Sequence, residues 1–471
     1  MNNSKFLPIQ ADDLNNPFVE DKLDREKLAP VLKGLVEFFG GVGGTIALNG
    51  SWGSGKTSFV KMWKKWMEKD GYRVLYFDAW STDYIEDPML GLFGELQEII
   101  PDEPTYDEIF NHVGKFCKVA VKGIIKYNVS KYVGPDIAGT SVDELLSQDN
   151  NIGEYKKALK EYSGITASMD AFQKCLCEAA NSISDKPLVF IVDELDRCKP
   201  DYAVKVLERI KHFFSIPNIV FVLAIDKSQL CNAIKGFYGS ERINAEEYLK
   251  RFIDAEFPLP EADVNKLCSF AYDYFGIKEE FEDYKCVNFG IGKEQVYEFN
   301  ILLSYIIFFK KYNIRDVEKF VSHYKLTLRS ILEREKANDG CKEKKYSGLT
   351  LLLVYLHKEY REFFDKIEKH TLSIQELANE YEKIFKIEEI NNGRINKPGY
   401  LYDIYAQLLV GYNEMERLSM VRLTIDADKN NRKLVFNTSY PDDDLVNMVS
   451  QTRFIALDVI IDRVKLLDYI V

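Results

Sequence analysis

Continuous apolar runs alternate with amphipathic helical patterns along the first half of the chain. The runs are Thr45 to Leu48, Arg73 to Trp80, Leu188 to Val192, Asn218 to Asp226 and Phe252 to Phe257. Runs of this length are typical of strands buried on both faces, and the helical segments between them supply the crossovers that parallel strands require. The pattern therefore predicts an α/β fold built on a parallel sheet.

The second half of the chain changes to a helical pattern. Apolar residues recur at helical spacing in Val296 to Phe309, Ile314 to Lys336, Leu349 to Phe364 and Ile374 to Phe385. Residues 421–428 and 432–437 alternate across a polar turn in the manner of a hairpin, and Phe454 to Ile470 predicts a final helix. A helical domain therefore follows the sheet.

These patterns divide the chain into regions. The predicted regions are an N-terminal arm and helix (1–44), an α/β core (45–84 and 183–260), a mainly helical insertion (85–182), a helical lid-like domain (261–390) and a C-terminal accessory region (391–471). A chain of 471 residues with 46% hydrophobic content is long enough for two or three domains.

Composition narrows the class of protein. A net charge of -12 argues against a surface that coats nucleic acid throughout. The eight cysteines lack metal-type spacing beyond Cys175-Leu-Cys177, so reduced thiols are expected, as in a cytosol. The first residues lack an apolar leader, and the longest apolar run, Ile301 to Phe309, is too short to cross a bilayer. We predict a cytoplasmic protein without a transmembrane segment.

A glycine-rich segment, Gly50-Ser-Trp-Gly-Ser-Gly-Lys-Thr57, fits the pattern G-x-x-x-x-G-K-[ST]. It follows a predicted strand and precedes a helical pattern, which is the order that a phosphate-binding loop requires. The alternative is a glycine-rich turn that fits the pattern by chance. The predicted phosphate-binding residues are Gly50, Ser51, Trp52, Gly53, Ser54, Gly55, Lys56, Thr57 and Ser58. Lys56 is expected to contact the outer phosphates, and Thr57 to bind Mg²⁺.

A second segment, Leu188-Val-Phe-Ile-Val-Asp-Glu194, supports the first. A buried parallel strand delivers its last residues to the carboxyl edge of the sheet, where α/β proteins bind ligands. We predict that Asp193 holds Mg²⁺ together with Thr57 and that Glu194 polarises the attacking water. The alternative for Glu194 is a surface carboxylate beside a structural aspartate. The two segments together predict a nucleoside triphosphatase that uses ATP and Mg²⁺.

Several motifs in order resemble the KAP family of P-loop NTPases over roughly residues 20–370. They are Gly50 to Ser58, Phe77 to Trp80, Pro187 to Cys198, Phe221 to Asp226, Glu247 to Arg251 and Asn313 to Lys319. The resemblance implies a P-loop fold with an additional strand between the loop strand and the Asp-Glu strand, and it implies a catalytic role for Glu194. Many members carry transmembrane helices between the phosphate motifs, whereas the insertion of this chain is polar.

Further candidate residues have open alternatives. Asp226 either senses the terminal phosphate or caps the following helix. By resemblance to oligomeric relatives, Arg251 reaches the nucleotide of a neighbouring subunit; the alternative is a solvated arginine at a helix end. Arg315 resembles a lid arginine that closes on the phosphates of its own chain. Asp196 and Arg197 form either an ion pair that shapes the loop or part of the chemistry.

Two further features complete the predictions. Phe77 and Trp80 are expected in the core, and Asp78 near the site. The insertion carries a basic stripe that is either a solvated helix face or a surface for nucleic acid or membrane. The stripe consists of Lys115, Lys118, Lys122 and Lys126.

The sequence predicts a magnesium-dependent ATP hydrolase that acts as a nucleotide-driven conformational and oligomerisation switch. The family resemblance implies a role in bacterial antiphage defence, with a second copy of the chain or a partner protein encoded alongside it. The alternatives are a nucleotide-gated scaffold with slow hydrolysis and a motor stimulated by nucleic acid.

Overall fold

The computed structural model describes residues 16–19, 21–85, 87–96, 173–174, 176–178, 180–181, 185–211, 216–283, 294–337, 347–385, 399–415 and 457–469. The chain divides into two compact units, one containing Leu7–Glu261 and the other containing Ala262–Val471, and each is described by itself. The lysine stripe, the predicted hairpin, Cys175 and most of the predicted insertion lie outside the described residues.

A parallel sheet of five strands forms the centre of the first unit. The strands are Gly44–Asn49 (β1), Val74–Asp78 (β2), Leu188–Asp193 (β3), Ile219–Ile225 (β4) and Ala255–Pro258 (β5). Their order in the sheet is β2-β3-β4-β1-β5, and all neighbours run parallel. Because β4 lies between β1 and β3, the predicted additional strand is confirmed.

The apolar runs form strands because both of their faces are covered. In β3 and β4, Phe190 and Phe221 belong to one apolar core, while Ile191 and Val222 belong to the core on the opposite face. Successive side chains of a strand point to opposite faces, so a continuous apolar run fills both cores. Each such side chain contributes about 1.5–3 kcal/mol when it is fully buried.

Helices cover the sheet in the first unit. They are Ala29–Gly40 (α1), Lys56–Lys69 (α2), Pro88–Leu96 (α3), Pro200–Ile210 (α4), Lys227–Tyr238 (α5) and Ala245–Leu249 (α6). The apolar stripe of α2 is buried as predicted, with Phe59 and Trp63 fully inaccessible. The last strand is shorter than predicted, because Phe252 lies in the turn before β5 instead of in the strand.

The described part of the second unit is helical. Its helices are Val264–Tyr274 (α7), Ile277–Asp283 (α8), Glu294–Lys310 (α9), Ile314–Ala337 (α10), Ser347–Glu359 (α11), Arg361–Glu368 (α12), Ile374–Phe385 (α13), Gly399–Met415 (α14) and Leu457–Lys465 (α15). A short 3₁₀ turn, Leu466–Tyr469, follows α15, so the predicted final helix is shorter than expected. Within the described ranges, no helix combines the length and apolarity needed to cross a membrane.

The predicted single helix from Leu349 to Phe364 is wrong. The chain leaves helical geometry at Tyr360, which has φ -137° and ψ 52°, and α12 begins after it. The Tyr360 ring packs edge-on against Tyr355 at 5.5 Å, and the Lys310 ammonium lies 4.3 Å from its centroid. These tertiary contacts of one side chain are invisible to apolar periodicity, which continues across the break.

Candidate active site

The phosphate-loop segment connects β1 to α2 in a tight turn. The Gly50 N–H donates to the Ile225 carbonyl of β4 at 3.1 Å, which fixes the start of the loop to the middle of the sheet. Gly53 and Gly55 have φ values of 75° and 86°. This left-handed region is accessible to glycine without the penalty that a Cβ atom brings. The glycine spacing of the motif is therefore a backbone requirement of this loop.

The start of α2 presents unpaired donors. The first N–H groups of an α-helix have no intrahelical acceptor, and the N-cap residue, Gly55, has no side chain to supply one. The buried Ser54 hydroxyl also has no hydrogen-bond partner. Donors of this kind at the positive end of a helix dipole suit the oxygens of a phosphate group. The loop thus fits a nucleotide triphosphate by its donor set.

Lys56 is the first residue of α2, and its side chain is buried against the preceding loop. Its ammonium donates to the Gly50 carbonyl at 2.6 Å and to the Ser51 carbonyl at 3.2 Å. Burial lowers the pKa of Lys56, while nearby carboxylates, Asp196 foremost, oppose that shift. A desolvated ammonium that is held by weak neutral acceptors gains from a stronger, charged acceptor such as a phosphate oxygen.

Asp193 ends β3 and is almost fully buried. Its Oδ2 accepts a hydrogen bond from the Tyr76 hydroxyl at 2.9 Å, and its Oδ1 accepts one from the Glu194 N–H at 2.9 Å. Burial raises the pKa of Asp193, although hydrogen bonds, including those from Tyr76 and Thr57, act in the opposite direction. A buried carboxylate beside a hydroxyl offers the oxygen ligands that Mg²⁺ prefers.

Tyr76 was missed by the sequence predictions. It lies on β2, which pairs with β3 so that Asp78 stands opposite Asp193. The signal was a hydroxyl-bearing residue in an otherwise apolar run, next in the sheet to a strand ending in a carboxylate. Only the sheet order, which brings β2 beside β3, turns that signal into a contact.

Glu194 joins the two phosphate motifs. Its backbone adopts φ 59°, and its Oε1 accepts a hydrogen bond from the Thr57 hydroxyl at 3.1 Å. Its Oε2 lies 2.5 Å from the Nε atom of Arg197. Burial and Asp193 raise the pKa of Glu194, and the Arg197 guanidinium partly offsets that shift. The Asp-Glu strand and the loop helix therefore meet through side chains from residues more than a hundred positions apart in the sequence.

Trp52 connects the loop to the segments that follow β3 and β4. Its backbone N–H donates to Asp226 Oδ2 at 3.1 Å, and its indole N–H donates to Asp196 Oδ2. The other oxygen of Asp226 caps α5 by accepting from the N–H groups of Ser228 and Gln229. Asp226 is thus an N-cap, one of its two predicted alternatives, while its role toward a phosphate stays a prediction.

Two predicted residues, Arg197 and Trp80, have a different environment from the one expected. Arg197 pairs with Glu194 and not with Asp196. The prediction that Trp80 lies in the core is wrong, because its side chain is 54% exposed, whereas Phe77 is buried. The Arg197 guanidinium lies over the Trp80 ring, 5.7 Å from its centroid.

The two predicted arginines are both exposed. Arg251 is exposed in the turn between α6 and β5 of the first unit. Arg315 is exposed in the first turn of α10 and belongs to the second unit. The roles of both arginines stay predictions.

Two further predicted residues flank Lys56. Ser51 lies in the loop, and Ser58 lies in the first turn of α2.

Comparison with protein families identifies the fold. A model described as the KAP family P-loop domain matches residues 28–332, which is more than half of the chain. The chain belongs to the KAP family of P-loop NTPases. The matched range includes both phosphate motifs of the KAP domain, the sheet and the first helices of the second unit.

Two curated relatives of this KAP protein differ in how much they share with it. The chain is 23% identical over 233 residues to the phage T7 exclusion protein of Escherichia coli (strain K12), covering 46% of this chain and 30% of that protein. It is 26% identical over 171 residues to an uncharacterized protein of Methanocaldococcus jannaschii, covering 32% of this chain and 88% of that protein. The KAP chain therefore spans less than a third of the length of the phage exclusion protein.

Solved structures show remote similarity to the whole chain. A crystal structure of a DNA replication initiation factor is 14% identical with a TM-score of 0.29, covering 94% of this chain and 89% of that one. The Aeropyrum pernix ORC2 protein, in ADPNP-ADP complexes, is 12% identical with a TM-score of 0.33, covering 95% of each chain.

Proposed function

We propose that this KAP protein is a magnesium-dependent ATP hydrolase that acts as a nucleotide-driven conformational and oligomerisation switch. One observation carries the proposal: Thr57 of the phosphate loop donates a hydrogen bond to Glu194, the residue after the Asp193 carboxylate. The hydroxyl proposed to bind the metal and the carboxylate proposed as the base therefore lie within hydrogen-bond distance of each other, as hydrolysis of a phosphoanhydride requires.

Binding is assigned to the loop. The free N–H groups at the start of α2, the Ser54 hydroxyl and the Lys56 ammonium would hold the phosphate oxygens. Thr57 and Asp193 would hold Mg²⁺, since a hydroxyl and a carboxylate are oxygen ligands of the kind that this ion takes. When bound, Mg²⁺ neutralises charge on the phosphate oxygens and orients them. The choice of ATP over other nucleotides is part of the proposal.

The chemical step is assigned to Glu194. Its carboxylate accepts a proton from water as the water oxygen bonds to the terminal phosphorus, and the bond from that phosphorus to the bridging oxygen breaks. The pKa of Glu194, which burial and Asp193 raise, supports this role, because a carboxylate of higher pKa is a better proton acceptor. Asp226, Arg251 and Arg315 are proposed to respond to the terminal phosphate or to its developing charge.

The biological setting is proposed from relatives. The Escherichia coli relative is named a phage exclusion protein, which supports a role in antiphage defence for this chain. The alignment covers 30% of that protein, so its activity is not transferred as a whole. We propose that nucleotide state controls contacts with a second copy of the chain or with a partner protein encoded alongside it.

Hydrolysis and assembly can be tested on the purified full chain. We expect Glu194→Gln to bind ATP and Mg²⁺ with little change but to hydrolyse ATP at least about a hundredfold more slowly, because the amide cannot accept the proton. The matched control is Glu68→Gln, on the far end of α2, which should hydrolyse ATP at the wild-type rate. Hydrolysis by Glu194→Gln at the wild-type rate would contradict the assignment.

One observation favours a second candidate function, a nucleotide-gated scaffold. Both carboxylate oxygens of Glu194 are already engaged, by Thr57 and by Arg197, which is compatible with slow hydrolysis. Measuring mass with and without ATP separates the two: a scaffold assembles with ATP at negligible turnover. Strong stimulation of hydrolysis by DNA or RNA would instead support the motor that the net charge of -12 disfavours.

A further inference from the structure

The proposed base is restrained by a cation from its own loop. Arg197 lies three residues after Glu194, at the end of the 3₁₀ turn Leu195–Arg197, and its Nε atom is 2.5 Å from Glu194 Oε2. The Glu194 side chain is 14% exposed and the Arg197 side chain 22% exposed. A charge-assisted hydrogen bond that is shielded from water to this degree is stronger than an ordinary surface pair.

Arg197 has a second fixed contact. Its guanidinium lies over the Trp80 ring, which follows β2 and is itself 54% exposed. Guanidinium groups stack favourably on indole rings. Because the Trp80 ring is largely exposed, burial in the core does not account for its position. Trp80 is thus better explained as the seat of Arg197 than as a core residue.

Both carboxylate oxygens of Glu194 are engaged. Thr57 occupies Oε1, and Arg197 occupies Oε2. A hydrogen bond from a guanidinium stabilises the charged carboxylate and fixes its orientation, so Glu194 is a weaker acceptor for a proton from water while that bond holds. We propose that Arg197, seated on Trp80, is a positioning residue that holds Glu194 back from water and so limits the basal rate of hydrolysis. This inference rests on the proposed role of Glu194 as the base.

The arrangement makes the restraint adjustable. Glu194 and Arg197 follow β3, whereas Trp80 follows β2, so the two halves of the seat belong to neighbouring strands. A shift of the 3₁₀ turn Trp80–Thr82 relative to the turn Leu195–Arg197 would separate Arg197 from Trp80.

Arg197→Met is the most direct test, because methionine keeps a long side chain over Trp80 but has no donor for Glu194. With the full chain, ATP and Mg²⁺, we expect kcat to rise about fivefold while KM and the ATP dissociation constant stay within about twofold. Arg197→Lys keeps the charge and should lie between Met and wild type. Trp80→Ala removes the seat but leaves both charged residues, and it should also raise kcat.

Controls separate this effect from loss of folding and from loss of charge. Lys205→Met removes one cation from an exposed pair on α4 and should leave kcat unchanged. Thermal unfolding and ATP binding confirm that each variant is folded. The double variant Glu194→Gln with Arg197→Met should be as inactive as Glu194→Gln alone, because Arg197 acts through Glu194.

The outcomes distinguish this inference from the proposed function. If wild type hydrolyses ATP and Glu194→Gln does not, but Arg197→Met is unchanged or slower, the restraint is wrong and Arg197 supports the reaction or the fold. If neither wild type nor Arg197→Met turns over bound ATP, the hydrolase proposal is contradicted and the restraint falls with it. A faster Arg197→Met variant with unchanged KM supports both.

Discussion

At the scale of single residues, Trp52 has the most unusual position. It is the third residue of the phosphate loop, its ring is 42% exposed, and yet it donates two hydrogen bonds to buried carboxylates, Asp196 and Asp226. Asp196 Oδ1 is buried without a hydrogen-bond partner. The indole N–H is therefore an important source of stabilisation for a carboxylate that the fold has already desolvated.

Trp52→Phe isolates that contribution. Phenylalanine preserves the ring but lacks the N–H, so the buried Asp196 carboxylate loses a donor, and we expect the free energy of unfolding to fall by about 1–2 kcal/mol. Urea unfolding measures the change. In the Asp196→Asn background the same substitution should have a clearly smaller effect, since an uncharged amide is less costly to leave unpaired. Equal effects in the two backgrounds would show that the hydrogen bond is not the cause.

At the scale of elements, the junction of loop and helix depends on backbone conformation more than on side chains. Gly55 is the N-cap of α2 with φ 86°, so the chain enters the helix through a left-handed residue. In α1, Gly34 instead sits within a regular helix, and a Cβ atom built there meets no atom within 4 Å. Glycine is therefore favourable at the start of α2 and unfavourable within α1.

Substituting alanine at the two positions should change stability with opposite sign. Gly55→Ala forces a Cβ atom into the left-handed region and should destabilise the protein by about 1–2 kcal/mol. Gly34→Ala should stabilise it by up to about 1 kcal/mol, because alanine loses less backbone entropy in a helix. Denaturant unfolding of the two variants measures both effects. A stabilising Gly55→Ala would mean that the loop has a different backbone from the one described.

Strands and helices were predictable where burial followed the local pattern. Five elements agree closely with their predicted extents, because the residues that each one buries are those of its own apolar pattern. They are β3, β4 and the helices Lys56–Lys69, Glu294–Lys310 and Ile374–Phe385. The break at Tyr360 was missed, because it depends on packing against Tyr355 and Lys310.

In the candidate site, the residues of the two phosphate motifs could be predicted from the sequence, but their contacts could not. Lys56 and Thr57 could be named from the glycine-rich pattern, and Asp193 and Glu194 from the apolar run that ends in Asp-Glu. The contacts of Tyr76 with Asp193, of Trp52 with Asp196 and of Arg197 with Trp80 could not, since each joins residues from separate strands or loops. Those contacts follow from the order of strands in the sheet, which local patterns do not encode.

At the scale of the whole molecule, the second unit holds its C-terminal segment by charge as well as by apolar packing. Arg361 contacts Asp468 in a bidentate pair, with nitrogen to oxygen distances of 2.6 Å and 2.9 Å. The His357 Nε2 atom lies 2.9 Å from Asp468 Oδ1. The 3₁₀ turn Leu466–Tyr469 is thus attached to α11 and α12 through groups that titrate.

This attachment should weaken in acid. Burial, and then Arg361, lower the pKa of His357, so below about pH 6.5 the unfolded form takes up more protons and stability falls. The bond from Arg361 lowers the pKa of Asp468, so the contribution of that pair is lost only as the pH falls below about 4. Because Asp468 is 37% exposed, its pair contributes less than about 1 kcal/mol.

Hydrogen exchange can follow this pH dependence in place. We expect the amides of Leu457–Lys465 to lose protection between pH 7 and pH 5, after correction for intrinsic exchange rates, and His357→Gln to remove most of that change. The amides of β4 in the same sample are the internal reference. Constant protection of Leu457–Lys465 across this range would show that His357 does not control the attachment.

The position of β4 has a mechanical consequence. All seven residues of this strand are buried, and it is paired on both sides, by β1 and β3. Such a strand is among the last segments of a domain to open, and the phosphate loop and Asp193 are anchored to its two neighbours. The centre of the sheet is therefore expected to be rigid. The conformational switch proposed above would then act through the turns beyond the strand ends, where Trp52, Trp80 and Arg197 lie.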